Sequence, residues 1–177
     1  MAVNEFFQTR KMHPGFNSTI VTLVLKCSNP CSIRDFRPIS YCSVIYKCLT
    51  KIIANRLKKY MPQLVGNNQS AFIPGRSITD NILMAQELVR GYGRSSLSLR
   101  CAIKIDLQKA FDCLNWEFVL NVLIVLQFPS MFIDWISACI TSPRFSILVN
   151  GGLVGYFKGQ GGLDKGTPSL PIFLFWP

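Results

Sequence analysis

Apolar and polar residues along the chain change period several times, and each change marks an element. Ile20 to Leu25 is a short β-prone run that ends at Lys26 and gives way to a Ser/Asn/Pro loop. From Ser43 to Met61 the period lengthens. Val44, Ile45, Leu49, Ile52, Ile53, Leu57 and Met61 recur at helical spacing, and Pro62 is expected to close the segment. Lys47, Lys51, Lys58 and Lys59 are left for the opposite side, either as a solvated basic face or as a nucleic-acid contact. Residues 66–77, rich in Asn, Gly and Ser, read as loop. A second helix runs from Ile78 to Arg90, with Gly91 and Gly93 as stops.

The second half repeats the alternation of types. Residues 100–106 read as a strand, and helices are predicted over 115–127 and 130–141, the latter opened by Pro129. Arg144–Val149 and Leu153–Phe157 are β-like runs around Asn150-Gly151-Gly152, a hairpin signal because Asn-Gly tolerates positive φ. Gly159 to Gly166 is a glycine-rich loop. Helices and strands interleave without regular βαβ alternation, so the predicted class is α+β.

Composition sharpens the picture in two ways. The 177 residues are 49% hydrophobic and 16% charged, which argues against a disordered chain. The net charge of +10 is lopsided: residues 1–100 hold 14 Lys/Arg against 4 Asp/Glu, whereas 101–177 hold 5 of each. A basic part (1–100) followed by a neutral, apolar part (101–177) suggests a polyanion-facing lobe and a packing lobe, or simply a solvated basic surface. Seven cysteines, an odd number, do not stand at zinc-finger spacing from the only histidine, His13. They are expected to be reduced, buried thiols of an intracellular protein. MAVNEFFQTRKMHPGF lacks the apolar core of a signal peptide, and Phe118–Ile133 is too short and too interrupted to span a membrane.

The candidate chemistry lies in CAIKIDLQKAFDCLNW, residues 101–116. An alternating run leads into Asp106, with Phe111 and Asp112 following. An acid in that position either caps the next turn or serves as a metal ligand at the end of a strand.

DFRPIS (35–40), YK (46–47), ANRLK (54–58), NQSAFIPGRSITDNILMAQE (68–87) and KIDLQKAFD (104–112) occur in the order found in reverse transcriptases of LINE-type (non-LTR) retrotransposons. The resemblance runs from about Val21 to about Phe175, and plant elements are the most similar in wording. It implies the fingers and partial palm of a right-hand polymerase. The implied activity is RNA-directed DNA synthesis, with an RNA template, a DNA primer, deoxynucleotide triphosphates and Mg²⁺ or Mn²⁺. By resemblance, Asp106 is the first of three catalytic aspartates and the Leu107 carbonyl a further metal ligand. Phe111 is the bulky residue that excludes a 2′-hydroxyl, and Asp112 is structural. Lys26 and Arg37 face the incoming triphosphate, while Gln69, Gly75 and Arg76 lie in the segment that contacts the template.

The resemblance also has departures. Lys26 follows Leu25 where the family more often has Pro. The family's GLRQGDPLSP reads GLDKGTPSLP here, with Lys165 in place of Gln and Thr167 in place of Asp. Lys165 is thereby assigned to the nucleotide side. The aromatic-Ala-Asp-Asp motif that would supply the other two aspartates is not among the 177 residues. One aspartate cannot fix two ions, so this stretch alone is expected to lack templated polymerase activity. Two other readings stay open: a residual nucleic-acid-binding module, and the non-functional product of a decayed element.

Overall fold

In a computed structural model, the structure describes residues 2–71, 73–90, 92, 101, 103–104 and 113–163. Among the described residues there are six α-helices and four strands, an α+β arrangement. The helices are α1 (Ala2–Thr9), α2 (Val44–Lys58), α3 (Met61–Leu64), α4 (Ile78–Val89), α5 (Trp116–Val125) and α6 (Ser130–Thr141). The strands are β1 (Ser18–Leu25), β2 (Phe36–Tyr41), β3 (Arg144–Val149) and β4 (Gly152–Lys158).

The strands form one sheet in the order β2-β1-β3-β4. β1 pairs antiparallel with β2 and parallel with β3, and β3 pairs antiparallel with β4. The predicted hairpin is present with a two-residue loop. Asn150 (φ 48) and Gly151 (φ 81) both take positive φ, the geometry whose twist matches its flanking strands. β1 and β3 come from opposite ends of the sequence, so one sheet unites the basic and the neutral halves.

The core is helical. Leu49, Ile53 and Leu57 of α2, Val119 and Leu123 of α5, and Phe132, Trp135 and Ile136 of α6 form a single buried cluster. Phe6 of α1 joins it. Helix α1, which hydrophobic patterning did not reveal, is seated by Phe7: its ring meets Trp135 edge-on at 4.9 Å, and its carbonyl accepts from Trp135 Nε1 at 3.1 Å.

One carbonyl links the sheet to this core. The helical partner of Cys139 C=O would be the N–H of the fourth residue on, which is Pro143 and has none. Two side chains replace it. Asn17 Nδ2, from the start of β1, donates to Cys139 O at 3.1 Å, and Tyr46 Oη of α2 donates at 3.2 Å. Asn17 Nδ2 also donates to Ser142 Oγ at 2.7 Å, and Arg144 N–H donates to Asn17 O at 3.0 Å, which begins the parallel pairing.

Several expectations need correction. Pro62 does not close the long helix. α2 ends at Lys58, and Pro62 sits in the first turn of α3, where its missing N–H costs no bond. Val44, counted in the apolar stripe, is 76% exposed because it occupies the first helical position beyond the Ser43 cap. The cysteines are not buried as a set: Cys27, Cys31, Cys48, Cys101 and Cys113 are exposed, Cys42 is half-buried, and Cys139 is buried. All seven are free thiols, and local apolar context did not foretell which side of each element they occupy. β2 was not anticipated either; it contains Pro38 and lies at the sheet edge, where a missing N–H is tolerated. The strand expected over 100–106 falls mostly outside the described residues, and of these Cys101, Ile103 and Lys104 belong to no strand.

Removing either donor of the shared carbonyl leaves the other in place, whereas removing both orphans a buried acceptor. Asn17→Ala is expected to cost about 2 kcal/mol and Tyr46→Phe about 1 kcal/mol. The double variant should lose more than the sum in denaturant unfolding, and additive losses would show that the two bonds act independently. Burial pushes the Cys139 thiol from 9.0 up to about 12. The unfolded thiol ionises first, so this contribution to stability is complete below about pH 9 and is lost as pH rises toward 12. At neutral pH a thiol reagent should modify the exposed cysteines of the folded chain and reach Cys139 only after unfolding.

Candidate nucleic-acid and nucleotide site

Three local arrangements carry the residues singled out from sequence. The first is the β1–β2 ribbon. Arg37 lies directly opposite Val24, and Lys26 is two residues beyond Val24, so Lys26 and Arg37 share one face as diagonal neighbours. The register continues past the strand through Lys26 N–H donating to Asp35 O at 2.8 Å. The Lys26 ammonium donates to the Arg34 carbonyl at 2.5 Å. Both side chains are exposed, and the Arg37 guanidinium makes no hydrogen bond or ion pair among the described residues. The nearby acid is occupied: Asp35 Oδ2 accepts from Cys31 N–H and Ser32 N–H, each at 2.9 Å, and closes a capping box around Ile33–Asp35. The tip of the ribbon therefore presents cations.

The second arrangement is the loop from Pro62 to Arg76. Pro74-Gly75 forms the centre of a tight turn, with Gly75 at φ +79 and Arg76 N–H donating to Ile73 O at 3.3 Å. The turn brings the Arg76 guanidinium back over the preceding segment. Its Nη1 donates to the carbonyls of Gly66 (2.5 Å) and Gln69 (2.7 Å). Its Nη2 donates to the carbonyls of Pro62 (3.1 Å) and Val65 (3.0 Å) and to Asn67 Oδ1 (3.4 Å). Asn81 of α4 holds the same loop from the other side. Its Nδ2 donates to Asn68 O at 3.2 Å, and its Oδ1 accepts from Ser70 Oγ at 3.0 Å. The half-buried Gln69 has its carbonyl held, while its side-chain amide makes no hydrogen bond among the described residues.

The third arrangement joins the start of α5 to the glycine-rich loop. Gly162 N–H donates to Leu114 O at 2.9 Å, and Trp116 Nε1 donates to Gly162 O at 2.5 Å. Together with Cys113, Asn115, Glu117, Gln160 and Gly161 they line a cleft of about 400 Å³. Asp106, Leu107, Phe111 and Asp112 precede this contact in the chain, and Lys165 follows it. All five lie outside the described residues.

Residues 25–173 match the family described as reverse transcriptase (RNA-dependent DNA polymerase). The chain belongs to that family. It is 26% identical over 166 residues to a Xenopus laevis protein called transposon TX1 uncharacterized 149 kDa protein, an alignment covering 94% of this chain and 13% of that one. To the retrovirus-related Pol polyprotein from the type-2 retrotransposable element R2DM of Drosophila melanogaster it is 28% identical, covering 93% and 17%. A Pol polyprotein from the type-1 retrotransposable element R2 of Nasonia vitripennis is 24% identical, covering 78% and 13%. The chain thus spans less than a fifth of the length of these relatives, two of which are named as proteins of retrotransposable elements and one as a transposon protein.

Members of the family use divalent metal. Here the donors assigned by resemblance, Asp106 and the Leu107 carbonyl, lie outside the described residues. Among the described residues no three His, Cys, Asp or Glu side chains come together. The described part of the chain does not make up the metal site. No helix among the described residues is long and apolar enough to cross a membrane.

Two elements of these arrangements were missed in the sequence. The Asn81 clasp had a visible signal, an Asn one turn inside a helix whose start is marked by Ser77, which caps Thr79 N–H at 3.1 Å. The Trp116–Gly162 bond had none, because it joins residues 46 apart. The turn that aims Arg76 rests on Gly75: a side chain there would have open space but a left-handed backbone. Gly75→Ala should cost about 1 kcal/mol and Gly75→Asn less, because Asn tolerates that region. Equal costs in thermal unfolding would mean that the turn relaxes to another geometry.

Proposed function

We propose that this reverse transcriptase chain takes part in RNA-templated DNA synthesis as fingers and part of a palm, residues 1–100 forming the basic, nucleic-acid-facing part and 101–177 the palm part. In this reading Lys26 and Arg37 face the triphosphate of the incoming deoxynucleotide, where cations neutralise and orient phosphate oxygens. Gln69 and Gly75 belong to the loop that meets the RNA template. Asp106, with the Leu107 carbonyl, takes part in holding Mg²⁺ or Mn²⁺, which would activate the primer hydroxyl and offset triphosphate charge. Phe111 selects against a 2′-hydroxyl, and Lys165 lies on the nucleotide side.

The observation that best supports this reading is the ribbon tip: Lys26 and Arg37 share a face, the neighbouring Asp35 is consumed by backbone donors, and Arg37 is left without a partner among the described residues. A guanidinium held out on a two-stranded ribbon is poised for an anion brought by a substrate. The exposed lysines of α2 favour a second, weaker activity, backbone binding of RNA without sequence preference: Lys47, Lys51 and Lys58 all lie on its outer side, and Lys59 follows at its end.

Titrating the monomeric chain with labelled single-stranded RNA at several salt concentrations tests the polyanion-facing part. Dissociation constants of roughly 10⁻⁴ to 10⁻⁶ M are expected, weakening steeply with salt as counterions are released. Arg37→Ala should weaken binding about equally across sequences and reduce the slope of log K against log salt by about 0.7, one single-strand phosphate contact. Salt-independent binding, or none at low salt, would remove support for the basic half as a polyanion surface.

A further inference from the structure

We infer that Arg76 is a positioning residue that holds Gln69 in place for the template, and is not itself a phosphate contact. The inference rests on the reading that the 66–77 loop meets template RNA, and it assigns that loop's single arginine an unexpected job. An arginine beside Gly in a nucleic-acid-facing loop would ordinarily be given to a phosphate. Here both terminal nitrogens of the guanidinium are already committed to the loop's own oxygens, four backbone carbonyls and Asn67 Oδ1. A phosphate could engage those nitrogens only by displacing these bonds, and Pro62 O, Val65 O and Gln69 O would then need new donors.

The geometry of the bonds says what they are for. α3 is a single turn, so the carbonyls of Pro62 and of Val65, the residue that caps its C-terminus, lack helical donors. Gly66 and Gln69 are the two ends of the turn closed by Gln69 N–H donating to Gly66 O at 3.1 Å. One planar fork thus fastens a helix end to a turn. Asn81 fixes the residues on either side of Gln69, through Asn68 O and Ser70 Oγ. The carbonyls of Asn68 and Gln69 and the side chain of Ser70 are held in succession, and among the described residues the Gln69 side-chain amide is left free to bind. Holding a loop in its bound shape before the ligand arrives lowers the ordering cost of binding.

A lysine cannot replace this fork. Its ammonium is a single point with three donors, while the acceptors of Arg76 are divided between two nitrogens. This separates positioning from phosphate contact, for which lysine would serve.

The experiment uses the 177-residue chain with single-stranded RNA, after thermal melts confirm that each variant folds. Arg76→Lys and Arg76→Ala should both weaken binding roughly tenfold, a loss on the scale of one or two hydrogen bonds. Both should leave the salt slope at its wild-type value and raise amide exchange in residues 65–71. Against a Gln69→Ala background, Arg76→Lys should cause no further loss. Asn81→Ala loosens the same loop without changing charge and should give the same pattern if the Arg76 variants do not fold. The proposal is overturned if Arg76→Ala lowers the slope by about 0.7 while Arg76→Lys keeps wild-type affinity, or if the losses from Gln69→Ala and Arg76→Lys multiply. Should the wild-type chain fail to bind RNA at low salt, the template reading fails and this proposal with it. Faster exchange in Arg76→Lys would then show a purely structural cage.

Discussion

A proline four residues beyond Cys139 obliges the end of α6 to find its donors elsewhere, and the rest of the structure is arranged around the solution. The carbonyl takes Asn17 from the strand side and Tyr46 from the helix side. Asn17 is nearly inaccessible, and its Oδ1 has no hydrogen-bond partner among the described residues, so its placement costs free energy that the two bonds from Nδ2 must outweigh. The same residue sets the register of the parallel β1–β3 pair through its own carbonyl. The basic ribbon of β1 and β2 is therefore tied to the helical core in part through this side chain, alongside Ser43 Oγ donating to Phe16 O.

Local signals in the sequence were legible where a single element contained its own cause. Ser43 and Ser77 cap their helices, Pro129 opens α6, and Asn150-Gly151 closes a hairpin that needs positive φ twice. What escaped was set by distant partners. α1 is short and owes its seat to Trp135, more than a hundred residues away. β2 contains a proline that only an edge position permits, and nothing local says that a strand will be at an edge. Cysteine exposure failed for the same reason, since helix α2 shows Cys48 to solvent between the buried Tyr46 and Leu49.

The candidate site divides along the same line. Matching motifs singled out Gln69, Gly75 and Arg76 as one segment, and the structure does bring them into one loop. Motif matching assigns a residue to a place but is silent on which of its atoms are spent in reaching it. From sequence, Arg37 is assigned to the triphosphate and Arg76 to the template segment, both as cations of a basic half. The structure separates them: one guanidinium is without partners among the described residues, and both terminal nitrogens of the other are taken by carbonyls.

That separation bears on α4 as well. The helix buries none of its residues, and Ile82, Leu83, Met84 and Leu88 are all more than half exposed. Its first turn and a half is tied to the described chain by polar contacts, where Ser77 caps it and Asn81 grips the loop. The Arg76 fork stiffens that loop from the opposite side, so loop and helix form one mechanical unit whose rigidity depends on two polar residues, five positions apart. Charge in this unit is structural before it is electrostatic. Cations available to a polyanion should accordingly be sought on the β1–β2 ribbon and the outer side of α2, where no carbonyl has claimed Arg37, Lys47 or Lys51.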